Sequence, residues 1–193
     1  GTGAYLTGEG LTMTNTTLCY LEKDGCYLML HRVKKKQDLN AGKWIGIGGH
    51  MEEGESPEDC IRREAREETG LFLQELTPRG LVTFVSDQSE TEWMHLFTCR
   101  HFSGEMTDCS EGVLRWIPIG QVLDLPLWEG DRIFLSYLRE ERPYFSLKLC
   151  YRGEHLWQAA LNGQPLPLIL PAKNAEKGEI PKNSPATGDK EPI

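Results

Sequence analysis

Three glutamates, Glu64, Glu67 and Glu68, stand at i, i+3 and i+4 in the run RREAREETG. On a helix that spacing puts three carboxylates on one face, within reach of a common point. The flanks predict such a helix over Pro57–Thr69: Ser56 can cap it, Pro57 fits a first position that needs no N–H, and Gly70 suits its end. Each like-charge pair costs an isolated helix about 0.2–0.5 kcal/mol. A solvated acidic face would bear that cost, but it does not account for the glycines before the helix or for the placement of Arg63 and Glu55. A hard divalent cation accounts for the crowding. Mg²⁺, or Mn²⁺ in its place, takes oxygen ligands, and Mg²⁺ keeps several waters, so a few carboxylates completed by substrate phosphates suffice.

Elements on both sides must hold that helix in place. TTLCYL and CYLMLH flank an EKDG turn, so Thr16 to Leu21 and Cys26 to His31 predict a hairpin. A basic loop, Arg32 to Lys36, and a glycine-dense loop, GKWIGIGGH, lead to the helix. Beyond it GLVTFV, EWMHLFTCRHF and VLRWIPI are β-branched and aromatic enough for strands. Apolar residues at helical spacing (Ile133, Phe134, Tyr137, Leu138) predict a second amphipathic helix in EGDRIFLSYLREER. YFSLKLCY and HLWQAAL around RGE predict a closing hairpin. The fold class expected is α/β, with a domain over 13–164. An extended segment precedes it at 1–12, and a Pro-, Lys- and Glu-rich tail at 165–193 has the composition of a disordered chain.

Composition narrows the function classes. With 39% hydrophobic residues among 193 and no apolar run long enough to span a bilayer, a membrane protein is not expected. A formal charge of -8 argues against a broad grip on nucleic acid or anionic lipid, because phosphate backbones are held by clustered Lys and Arg. Handling a polyanion therefore calls for added cations. The six cysteines show no C-x-x-C pair, so buried thiols in a cytoplasmic protein are expected rather than zinc ligands or a disulfide framework. No secretory signal is visible at the start.

Gly49, five residues, Glu55, seven residues, then Arg63-Glu64-Ala65-Arg66-Glu67-Glu68-Thr69-Gly70-Leu71 matches the Nudix box at every defined position. The chain resembles the Nudix hydrolases. That resemblance implies an α/β/α sandwich with a mixed central β-sheet, binding a divalent metal and a nucleoside diphosphate linked to another group. It implies that Glu64, Glu67 and Glu68 hold Mg²⁺, which neutralises the diphosphate and activates water. The base is the first of these glutamates in some relatives and a carboxylate outside the box in others; Glu64 is taken here. Arg63 and Glu55 would form an ion pair that ties loop to helix and orients the catalytic glutamates. Carbonyls near Gly48 and Gly49 would add a ligand and approach the substrate. Glu111 sits where relatives place another metal carboxylate, and an exposed loop acid is the open alternative.

Outside the box, GKWIGIGGH, the acid before LRW and PLWEGDRIFLSYL resemble the family's oxidised-purine nucleoside triphosphate diphosphatases. That resemblance implies hydrolysis of a nucleoside triphosphate such as 8-oxo-dGTP to monophosphate and pyrophosphate, a nucleotide-pool sanitation that protects DNA. Trp128 would stack a purine or anchor the second helix, and Asp131 would accept purine N–H groups. Arg32 would meet phosphate or base, or stand as a solvated loop cation; Thr17 would line the pocket. The chain departs from the mammalian pattern at Ile45 and at Gly130-Asp131, and WEGD resembles a bacterial subset. Ser86 and Gln88 stand where ADP-ribose and dinucleoside polyphosphate hydrolases carry a proline and a tyrosine. An RNA 5′-end hydrolase and a non-catalytic nucleotide sensor are the remaining alternatives, and the protein is expected as a monomer or homodimer with no stable nucleic-acid partner.

Overall fold

The computed structural model describes residues 14–168. The segment at 1–12 and most of the tail expected at 165–193 lie outside the described residues. Strands β1 (Thr14–Lys23) and β2 (Cys26–His31) form the expected hairpin, followed by β3 (Trp44–Ile45) and β4 (Ile47–His50). Helix α1 (Pro57–Thr69) leads to β5 (Phe72–Ser86), β6 (Glu92–Ser103) and β7 (Val113–Pro118). A 3₁₀ turn (Ile119–Asp124), α2 (Glu129–Arg139), β8 (Phe145–Arg152), β9 (His155–Leu161) and β10 (Gln164–Leu166) complete the chain. β10 takes in the first two residues of the stretch expected as tail.

The strands join in the order β10-β9-β8-β5-β6-β1-β2-β3, with β4 on β1 and β7 on β2. Pairing is mixed: β1 runs parallel to β6 and β8 parallel to β5, while the other pairs are antiparallel. β1 shows why both faces of this sheet are covered. Leu18 and Tyr20 join a core that includes Phe134, Leu135 and Leu138 of α2, whereas Cys19 and Leu21 join one built on Ile61 and Ala65 of α1. Alternate residues of a strand point to opposite faces, so one apolar run supplies two cores. A helix lies against each face, which is the α/β/α sandwich.

α1 keeps the predicted limits. Ser56 Oγ accepts from Asp59 N–H at 3.1 Å and Asp59 Oδ2 accepts from Ser56 N–H at 3.1 Å, a reciprocal cap. Gly70 ends the helix at φ 78°, a left-handed conformation that suits glycine. The stretch GKWIGIGGH, expected as a loop, instead contains β3 and β4. Glycine is disfavoured in strands on propensity, but here it allows β4 to lie flush on β1: a Cβ on Gly48 would stand 1.8 Å from the Thr17 carbonyl oxygen.

Candidate active site

A cleft of about 470 Å³ opens where β1, β4 and α1 meet the β5–β6 ladder and the start of α2. It collects Thr17, Arg32, Gly48, Gly49, Glu64, Glu68, Glu111, Trp128 and Asp131, residues scattered over more than half of the chain. Two of the expected site residues, Arg63 and Glu67, do not line it.

Arg63 stands behind the carboxylates as a hub. Its Nε donates to Glu55 Oε1 at 2.5 Å and its Nη2 donates to Glu55 Oε2 at 3.1 Å and to the His50 carbonyl at 3.0 Å. Its Nη1 donates to Glu64 Oε1 at 2.9 Å and Glu67 Oε2 at 3.3 Å. One guanidinium thus fixes the loop, the end of β4 and two helix carboxylates, a use of the planar fork that lysine could not repeat. Hydrogen bonding to Arg63 holds the Glu55 carboxyl at about 2. Glu67, with 59% of its side chain exposed, rests on Arg63 outside the cleft.

Glu64 points into the cleft across Gly49. A Cβ at Gly49 would lie 2.5 Å from Glu64 Cδ, so glycine is what gives the carboxylate its place. Burial pushes the Glu64 carboxyl up, against the pull of Arg63. Glu68 is buried more deeply, and one of its oxygens, Oε2, has no hydrogen-bond partner among the described residues. Burial first, and then the charges of Glu64 and Glu111, raise its pKa to about 9. A buried carboxylate oxygen without a donor, facing two more acids, fits a hard cation of oxygen preference. Among the described residues no three His, Cys, Asp or Glu side chains are grouped closely enough to hold a metal ion by themselves. A cation that keeps waters and takes phosphate oxygens does not require such a group.

Glu111 is not a solvated acid. Lys35 Nζ donates to its Oε1 at 2.7 Å and Arg32 donates to its Oε2, while Arg32 Nε donates to Asp38 Oδ2 at 2.6 Å. Arg32 is likewise not a solvated cation, with 12% of its side chain exposed. Both stand in a charge network beside Glu68.

At the other end Trp128 is both packed into the core and open to the cleft, so its surroundings are compatible with either of the two readings that the sequence leaves as alternatives. It packs edge-to-face on Phe84 and Tyr151, with centroids 6.0 and 5.4 Å away, and it also lines the cleft. Its Nε1 donates to Asn40 Oδ1 at 2.8 Å, and Lys43 Nζ lies 5.1 Å from the ring centroid. Asp131, 7% exposed in the first turn of α2, makes no side-chain hydrogen bond among the described residues. Burial, and then the charge of Glu92, raise its pKa to about 8. Lys35, Asp38, Asn40 and Glu92 are the site residues that sequence reasoning misses. The first three sit in a loop with no periodicity, and Glu92 opens a strand whose facing direction only the sheet decides.

A family model described as "NUDIX domain" matches residues 13–138. An uncharacterized Nudix hydrolase, YvcI of Bacillus subtilis (strain 168), is 31% identical over 131 residues, 65% of this chain and 79% of that protein. The oxidized purine nucleoside triphosphate hydrolase of Mus musculus is 32% identical over 111 residues, 57% of this chain and 71% of that one. Among solved structures, a mutator MutT protein from Bacillus halodurans superposes with a TM-score of 0.69 at 25% identity, covering 79% of this chain and 99% of that chain.

Proposed function

The chain belongs to the Nudix family of hydrolases, and from that membership we propose that it is a Mg²⁺-dependent nucleoside triphosphate diphosphatase acting on oxidised guanine nucleotides such as 8-oxo-dGTP. The observation that carries the reading is one cleft with two unlike ends. Glu64, Glu68 and Glu111 gather at one, and Trp128, Phe84 and Asp131 at the other. A nucleotide is itself such a molecule, a polyanion joined to an aromatic base. The named activity of the mouse relative supports the choice of base.

Nudix hydrolases generally use divalent metal ions. Here Glu64 and Glu68, with Glu67, Glu111 and the backbone at Gly48 available, would hold Mg²⁺, or Mn²⁺ in its place. When bound, the cation supplies charge that offsets the diphosphate and makes water a competent nucleophile near neutral pH. The chain's own residues do the rest. Glu64, held by Arg63 and partly desolvated, takes the proton from the attacking water. Water forms a new P–O bond at one phosphorus of the α–β anhydride as the P–O bond to the bridging oxygen breaks, giving the monophosphate and pyrophosphate. Arg32 and Lys35, paired with Glu111, would set positive charge beside the phosphates. Gly48 and Gly49 let the backbone approach, Thr17 borders the path, and Trp128 and Asp131 receive the base. Residues 13–164 form the catalytic domain, a monomer or homodimer working in the cytoplasm.

The test is release of monophosphate and pyrophosphate with Mg²⁺ across 8-oxo-dGTP, dGTP, dATP, ADP-ribose and diadenosine tetraphosphate. A kcat/KM highest for 8-oxo-dGTP is expected. Preference for ADP-ribose or the dinucleotide would overturn the substrate, and hydrolysis of none would overturn the enzyme.

A further inference from the structure

Glu92 is an acid without an evident reason to be where it is. It opens β6, and its register partner on β5 is Phe84; two residues on, Met94 pairs with Val82. Register partners and i, i+2 neighbours share a face, and all four line the cleft. The face is thus apolar at Phe84, Met94 and Val82, and carries a carboxylate only at Glu92. Its side chain makes no hydrogen bond or ion pair among the described residues. It stands close enough to Asp131 for its charge to disfavour ionisation of that carboxyl. Two acids without hydrogen-bond or ion-pair partners among the described residues thus share one half-apolar wall.

We propose that Glu92 determines base selectivity, by accepting the exocyclic amino group of a guanine-type base whose neighbouring edge is read by Asp131. This rests on the nucleotide reading of the same cleft. The chemistry separates the two acids. With burial keeping Asp131 protonated near neutral pH, its carboxyl offers a donor and an acceptor side by side. That pair complements the O6 and N1–H of guanine and equally the N1 and N6–H of adenine, so Asp131 alone does not discriminate. The next position along the edge does. Guanine carries an amino group there and adenine a C–H, and only the amino group can donate to a carboxylate. A base without that donor leaves Glu92 desolvated and unpaired, and a lost partner of this kind separates substrates more sharply than shape does.

The experiment uses the full chain and Glu92→Gln, with kcat and KM for 8-oxo-dGTP, dGTP and dATP. Equilibrium binding of dGMP and dAMP reads the base contact apart from turnover. The expected result is a rise of about tenfold in KM and in the dGMP dissociation constant, with kcat within about twofold and dAMP binding unchanged or tighter. Equal changes for guanine and adenine nucleotides would show only a charge effect and overturn the proposal, as would no change at all. If the wild-type chain shows no guanine preference, the guanine-nucleotide reading fails first and takes the proposal with it. A wild-type preference that survives in Glu92→Gln removes the proposal alone.

Discussion

The two ends of the cleft hold their polar groups in opposite ways. At the acidic end charges are tied together: Arg63 bonds to Glu55, Glu64 and Glu67, and Arg32 and Lys35 bond to Glu111. At the aromatic end Asp131 and Glu92 have no hydrogen-bond or ion-pair partner among the described residues, beside rings that are themselves well packed. The difference follows from what each end must meet. Metal and phosphate geometry is demanding and common to many substrates, so those ligands are fixed in advance by a network. Base recognition is a choice among similar edges, and an unsatisfied acid that only the right base can satisfy is the means of choosing. Glu68 is the exception at the acidic end, since its Oε2 is also unpartnered.

That exception gives the sharpest way to break the comparison. Glu68→Gln keeps the shape and removes the charge, so kcat/KM should fall by about three orders of magnitude or more. The metal-free melting temperature should hold or rise, because a buried carboxylate without a partner costs stability. Steady-state kinetics beside melts in chelator check both. Near-wild-type turnover would remove Glu68 from the metal site.

A second substitution disturbs the acidic end without altering a carboxylate. Gly49→Ala would place a methyl group 2.6 Å from Glu64 Oε1, so the side chain must move. Turnover should fall about a hundredfold, with KM changed far less, since a small displacement of a catalytic group is costly. Equal damage to kcat and to the melting temperature would mean that Gly49 serves the β1–β4 pairing alone.

At the aromatic end the effect should fall on KM. Trp128→Phe keeps a ring and loses the bond to Asn40. KM for purine triphosphates should rise several-fold, to about tenfold, while kcat stays near its original value. A changed kcat with constant KM would assign Trp128 to anchoring α2 rather than to the base.

The ends also differ in how much of them the sequence displays. α1, its cap and its terminal glycine are legible to the residue because capping and periodicity are local effects. The three glutamates are legible as a set for the same reason, although the helix turns Glu67 onto Arg63 and away from the cleft. β3 and β4 are not legible, since their glycines make sense only against β1. Nor are Asn40 and Glu92, which reach the cleft through a loop and a strand register set by residues far away. Arg32 and Glu111, 79 positions apart, meet because β7 pairs with β2. Local chemistry writes the helix glutamates of the acidic end into one stretch, while Glu111 and the aromatic end come into place only once the sheet has formed.

A further effect, on stability and not on turnover, compares the ends in a single experiment. Glu68 and Asp131 have folded pKa values of about 9 and about 8, against ordinary values of 4.5 and 3.8. Both are raised, so the folded chain keeps protons that the unfolded chain has released. The stability each contributes is complete below its unfolded value and is lost as pH rises through the folded one. Metal-free protein should therefore lose melting temperature as pH rises from about 5 to about 9, at a rate of at most a few degrees per pH unit for each group. A divalent cation binds the ionised form of Glu68, so Mg²⁺ should flatten the acidic end's share of that slope and release protons as it binds. Asp131 lies at the other end, and its share should persist with Mg²⁺ and disappear in Asp131→Asn. Melts from pH 5 to pH 9, with chelator and with Mg²⁺, separate the two. A slope abolished by Mg²⁺ alone would place Asp131 and Glu68 in one coupled site and dissolve the distinction between the ends.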